Sequence, residues 1–208
     1  MFKRLLIFCL GVSALALGIV LNTKTMLGVS SISSVPYVLS NFSPLSLGQA
    51  TMAMYIIYVL SQVVLLKRLT VKMVLQIPFA FLFGLIVDLF DGLLQLTPTS
   101  FMWSLVYLVL AIVITAFGAC LVVSMNLVLN PPDGIVNTIA FVSNQEFGRI
   151  KLIFDCSMVS LSLILSWVFS HRLIGFGLGT IASALFIGQL ISFFNHYLAS
   201  FFARVTNS

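Results

Sequence analysis

Residues 101–125 read FMWSLVYLVLAIVITAFGACLVVSM, an apolar run without one charged side chain. A helix rises about 1.5 Å per residue and about 20 apolar residues cross the roughly 30 Å of hydrocarbon in a bilayer, so this run is long enough to span a membrane. Working outward, comparable runs cover Leu5 to Leu21, Ala50 to Leu66, Met73 to Phe90, Leu152 to Phe169 and Leu173 to Phe194. The sequence therefore predicts an all-α membrane protein with six transmembrane helices and a single transmembrane domain over residues 1–208. Composition agrees: 61% apolar residues, 7% charged residues and a mean hydropathy of +1.19 cannot be wrapped into a water-exposed globule.

The ten Lys and Arg fix the expected orientation. With six crossings, Lys3, Arg4, Lys67, Arg68, Lys72, Arg149, Lys151 and Arg204 fall on one side, and only Lys24 and Arg172 on the other. Positive residues mark the cytoplasmic face, so both termini are expected there. The net charge of +5 is read as topology and contact with the lipid bilayer, not as nucleic-acid binding. Lys3-Arg4, the apolar run and Ala14-Leu15-Ala16 imitate a signal peptide, but the first helix is expected to stay uncut. Cys9, Cys120 and Cys156 lie inside apolar runs and suggest neither a disulfide framework nor a metal site.

Weak similarity recurs about 100 residues apart. Ser33 to Asn41 lies over Val136 to Asn144 at a shift of 103, Gly48 lies over Gly148, and Phe83 to Phe90 lies over Ile187 to Phe194 at a shift of 104. Each half, 1–100 and 101–208, would hold three crossings. An odd number reverses the entry of the second half, so the expectation is two inverted three-helix repeats, an arrangement that recurs in secondary transporters. The connections after the first and fourth helices, residues 22–47 and 126–148, are long and rich in small and polar residues. Each is expected to carry a short re-entrant or interfacial helix of about ten residues, since elements of that kind recur beside transporter sites. Pro36 is placed in the first turn of one, and Asp133 as an Asx cap on Ile135 or Val136 of the other.

Leu27-Gly28-Val29-Ser30-Ser31, Leu39-Ser40, Gly48 and Leu75-Gln76 in the first half stand in a joint order with Pro132-Asp133-Gly134, Phe147-Gly148, Lys151, Asp155, Gly177, Gly179-Thr180 and Gly188 in the second. That order resembles the YczE/YyaS/YitT group of bacterial membrane proteins, and the YczE branch in particular. Ser31 departs from it, standing where relatives often have Pro. The resemblance implies a six-helix protein of the bacterial cytoplasmic membrane, in a group described as permeases with no established substrate.

Ionisable groups within hydrocarbon cost about 2.5–3.5 kcal/mol at a helix centre and should face protein or water. Asp155 stands four residues after Lys151, close enough to pair. Asp88 lies opposite Ser192 in the repeat and near Asp91, with no basic neighbour in sequence, so it could hold a cation or a proton or face outside water. Gln62, Gln76 and Gln189 fall within spans, where they can bond other helices or a ligand. With Asp133, Asn137 and Ser34 in the irregular connections, the candidate substrate-binding or coupling residues are Asp88, Gln189, Asp155, Lys151, Asp133, Asn137, Ser34 and Gln76. Stripes of small residues, Ala14/Gly18/Asn22, Ala111/Thr115/Ala119 and Ala184/Gly188/Ser192, suit close helix packing.

The expected function is movement of a small-molecule or ion substrate by alternating access between the halves. Two other readings stay open: a substrate-capture subunit of an ATPase-driven vitamin importer, and a non-transporting accessory protein. A homo-oligomer or a membrane partner fits any of them. An enzyme is not expected, because His171 and His196 stand near span ends and no HExxH or GxSxG occurs. No cofactor and no bound metal are called for.

Overall fold

The computed structural model describes residues 2–206. Among these residues it is all-helical: α1 (Phe2–Thr23), α2 (Ser31–Phe42), α3 (Leu47–Leu66), α4 (Val71–Leu93), α5 (Phe101–Met125), α6 (Pro131–Ser143), α7 (Phe147–Ser170) and α8 (Leu178–Thr206). The six longer helices are long and apolar enough to cross a membrane, which makes the chain a multi-pass membrane protein. The twelve-residue α2 and thirteen-residue α6 are too short to cross at about 1.5 Å per residue. The order long, short, long, long thus occurs twice.

Local chemistry sets the ends. Ser46 and Gln49 form a reciprocal capping box at the start of α3, and the Ser100 hydroxyl accepts the Trp103 amide at the start of α5. Lys67, Asn126, Asn144 and His171 turn left-handed, with φ from 48° to 52°, and stop α3, α5, α6 and α7. The last helix corrects its sequence boundary: it begins at Leu178, not Leu173, and continues past Phe194 to Thr206. Gly175 is left-handed at φ 80°, and Gly177 packs on the 24–30 connection, so the helix cannot start earlier.

Two further expectations change. Pro36 lies well inside α2 rather than in its first turn, where its missing N–H leaves the Ile32 carbonyl without its usual helical partner. Asp133 does not cap α6. Pro131 and Pro132 occupy the first two helical positions, where a missing N–H costs nothing, so the helix starts earlier and Asp133 falls within its first turn.

The chain forms two compact units, each drawn from both sequence halves: residues 1–30, 89–127 and 177–208, and residues 31–88 and 128–176. In the first, α1 lies against α5, and α8 packs on α5. The α1–α5 contact is antiparallel. Arg4 donates to the Met125 carbonyl at 2.6 Å, while farther along Gly11 meets Leu121 and Val122, Leu15 meets Gly118, and Gly18 meets Thr115. The Gly18 stripe is used as expected, but the Gly188 stripe is not, since nothing lies within 4 Å of that glycine's missing Cβ. Lys24 and Asp91 form an ion pair at 2.7 Å, and the Gly179 amide donates to the Leu27 carbonyl at 2.7 Å.

In the second unit α3 packs on α6, α2 on α7, and each short helix on the helix that follows it. Both short helices run in the same direction as their long partner from the other half. Gly134 sits by Gln62 and Asn130 by Tyr55, while Ser34 sits by Met158 and Phe42 stacks on Phe169 at 5.8 Å.

Candidate functional site

The polar side chains of the second unit gather where the two short helices begin. Tyr55 and Tyr58, one turn apart and both buried in the apolar α3, have ring centroids 6.3 Å apart. The Tyr58 hydroxyl donates to Met158 Sδ at 3.2 Å, and Phe154 meets the same ring edge-on at 5.4 Å. From α2, the buried Ser34 hydroxyl bonds the Ser31 carbonyl at 2.7 Å and the Met158 carbonyl at 3.3 Å. Met158 therefore joins the start of α2 to the middle of α3.

From α6, Asn130 and Asp133 face Tyr55. The Asn130 side chain hydrogen-bonds toward both the Tyr55 hydroxyl and the Asp133 carboxylate, yet its Oδ1 is buried without a partner, in a residue only 7% exposed. From α7, Lys151 and Asp155 pair at 2.9 Å across one helical turn, as their spacing predicts. Asp155 lies within electrostatic reach of Tyr58, and both members of the pair within reach of Asp133. Burial pushes the Asp133 carboxyl above its ordinary value; Lys151 pulls the other way, Asp155 adds to the rise, and the Asn130 amide opposes it.

One polar pair lies beside this cluster. The Gln62 and Gln76 amides bond reciprocally, at 2.8 Å and 3.4 Å, and a Cβ on Gly134 would meet them at 2.9 Å. Gln76, a candidate from sequence, is thus an interhelical bond that Gly134 fits against. Along the same face an apolar groove of about 520 Å³ runs between Tyr58, Val64, Ile135, Ile139 and Phe154.

Of the eight candidates, Ser34, Asp133, Lys151 and Asp155 are brought together. The other four lie elsewhere. Asn137 is exposed on α6, and Gln189 belongs to the first unit, exposed on α8. Asp88 accepts the Ser46 hydroxyl at 2.6 Å and the Gly48 amide at 2.7 Å, so its charge is spent on the positive end of α3. Gly48 allows this approach, because a Cβ there would overlap the Gly84 carbonyl and the Asp88 carboxyl. Sequence reasoning missed Tyr55, Tyr58, Met158 and Asn130. Two tyrosines three residues apart in a span carried a signal, since a buried hydroxyl needs a partner. Met158 carried none.

The match to known proteins follows the whole chain rather than this cluster. The family described as "Family of unknown function (DUF6198)" matches residues 2–196, so the chain belongs to it. No curated protein and no solved structure matches.

Proposed function

We propose that this DUF6198 protein is a membrane transporter, in which two inverted halves present one polar centre to either side of the membrane by alternating access. The observation that carries the reading is the meeting of Ser34, Tyr55, Tyr58, Asp133, Lys151 and Asp155 around the starts of two helices too short to span. Tyr55 and Met158 stand near the middle of α3 and α7, which supports the reading that both short helices are re-entrant elements beginning within the membrane. Charges within a span are costly, and a chain that keeps Asp133 at the start of α6 and Asp155 two turns into α7, with Lys151 one turn nearer the helix start, has a use for them.

Support for inversion comes from contacts that exchange between the halves. The pairing of α3 with α6 is mirrored by that of α7 with α2, both parallel. In the antiparallel α1–α5 pair, the sequence shift of 104 carries Gly18 against Thr115 onto Val122 against Gly11, which is also a contact. Within each unit, taken by itself, an exchange of the two halves about a two-fold axis accounts for its own relation. In this reading both termini are cytoplasmic, in keeping with the distribution of Lys and Arg. The resemblance to the YczE/YyaS/YitT group points the same way.

Uptake into proteoliposomes across a panel of small metabolites and inorganic ions tests the reading. Transport of at least one solute is expected, abolished by Asp155→Asn in a folded protein and retained in Gln189→Leu. Well-folded protein that moves nothing across the panel overturns it.

A further inference from the structure

Counting charges around Asp133 leaves one unmatched. Among the described residues Lys151 is the one cation in the cluster, and its ammonium is committed to Asp155 at 2.9 Å, so two acids share one positive charge. The groups that face Asp133 from the other elements supply no second cation: α3 presents Tyr55 and Tyr58, α7 presents Lys151 and Asp155, and α4 presents the neutral Gln76 beside Gly134. Asn130 adds an independent sign of something missing. Its Oδ1 is an acceptor with no donor, buried next to the acid. A buried acceptor without a donor is destabilising, and a carboxylate short of a counter-charge in a desolvated cluster is biased towards its protonated form.

We infer that Asp133 is a proton-binding site and that the proton is the ion coupled to transport, an inference that rests on the transporter reading above. Protonation removes the excess negative charge and creates an O–H beside Asn130, whose amide can turn over to accept it. On release the carboxylate accepts the Asn130 N–H instead. The exchange needs only a proton from water on one side and its return to water on the other. Neutral Asp133 lets the cluster cross an apolar environment with only the internally paired Lys151 and Asp155 charged.

The test uses the full chain in lipid nanodiscs, without any transported solute, and reads two signals against pH: the infrared carboxylic-acid C=O stretch and the thermal unfolding midpoint. An acid whose folded-state pKa is raised stabilises the fold below the ordinary carboxylate range and loses that contribution as pH rises through its folded value. Wild type is therefore expected to show a protonated-carboxyl band above that range, and an unfolding midpoint that falls as the band disappears. Asp133→Asn abolishes both. Asp155→Asn frees Lys151 to pair with Asp133 and moves both to lower pH, an effect that a purely structural role would not produce. Absence of the band in wild type overturns the inference. So does its survival in Asp133→Asn, or a midpoint that responds to sodium or potassium at fixed pH instead of to pH. Should the Asn variant not fold, the shift in Asp155→Asn decides alone. If the band behaves as described while the uptake panel stays blank, the transporter reading fails and the proton site stands.

Discussion

Replacing Gly118 by alanine measures how closely α1 and α5 approach. The added Cβ would overlap the Leu15 amide nitrogen and lie 2.8 Å from both the Gly11 carbonyl oxygen and Leu15 Cα, whereas ordinary contact begins at 3.4 Å. All three atoms are backbone, so no side-chain rotation relieves the overlap, and the helices must separate by about 1 Å. Overpacking of this kind costs about 1–3 kcal/mol, here at the upper end, while alanine regains about 1 kcal/mol of helix propensity. The net expectation is a loss of about 2 kcal/mol, or about 30-fold in the unfolding equilibrium. Gly188→Ala is the control, because nothing lies within 4 Å of its Cβ and only the propensity gain remains. Reversible unfolding of both variants in the same mixed micelles gives the difference. A Gly118→Ala protein as stable as Gly188→Ala would refute the close antiparallel contact.

Three further outcomes follow from the same geometry. Asp88→Asn keeps one acceptor oxygen but loses a charge-assisted bond at the start of α3, and thermal unfolding should show a loss of about 1–2 kcal/mol, matched by Ser46→Ala and not additive with it. Gln62→Leu and Gln76→Leu should each destabilise by about 1–2 kcal/mol through the orphaned partner amide, whereas the double variant should lie closer to wild type in the same assay. Lys151→Gln should abolish uptake and lower stability by leaving Asp155 without its cation, and Lys151→Gln with Asp155→Asn should restore the unfolding midpoint but not uptake.

How far the sequence could be read depended on the range of the interaction. The six spans were legible because Leu, Ile, Val and Phe in runs of twenty leave a bilayer as the one solvent that accepts them. The short helices were legible because Asn130-Pro131-Pro132-Asp133 interrupts such a run with residues that start helices, although Asp133 was placed outside the helix it belongs to. Lys151 and Asp155 were legible because four residues is one turn of a helix. Asp88 was not: its partners, Ser46 and Gly48, are forty residues away in sequence and meet it only after α3 and α4 pack. Tyr55 and Asn130 met for the same reason, through the packing of α3 on α6. Gln189 shows the converse, since a polar residue in a span need not face the protein interior, and this one lies exposed on α8.

Sidedness of equivalent turns tests the inverted architecture most directly. In a background with Cys9, Cys120 and Cys156 replaced by serine, single cysteines at Leu45, Leu69, Gln145 and Arg172 are labelled in oriented vesicles with a membrane-impermeant maleimide. Leu69 and Gln145 positions should react only from the cytoplasmic face, and Leu45 and Arg172 positions only from the opposite face, so that matching turns of the two halves lie on opposite sides. Labelling of the Leu69 and Arg172 positions from one and the same face would contradict the inversion and the alternating-access account built on it.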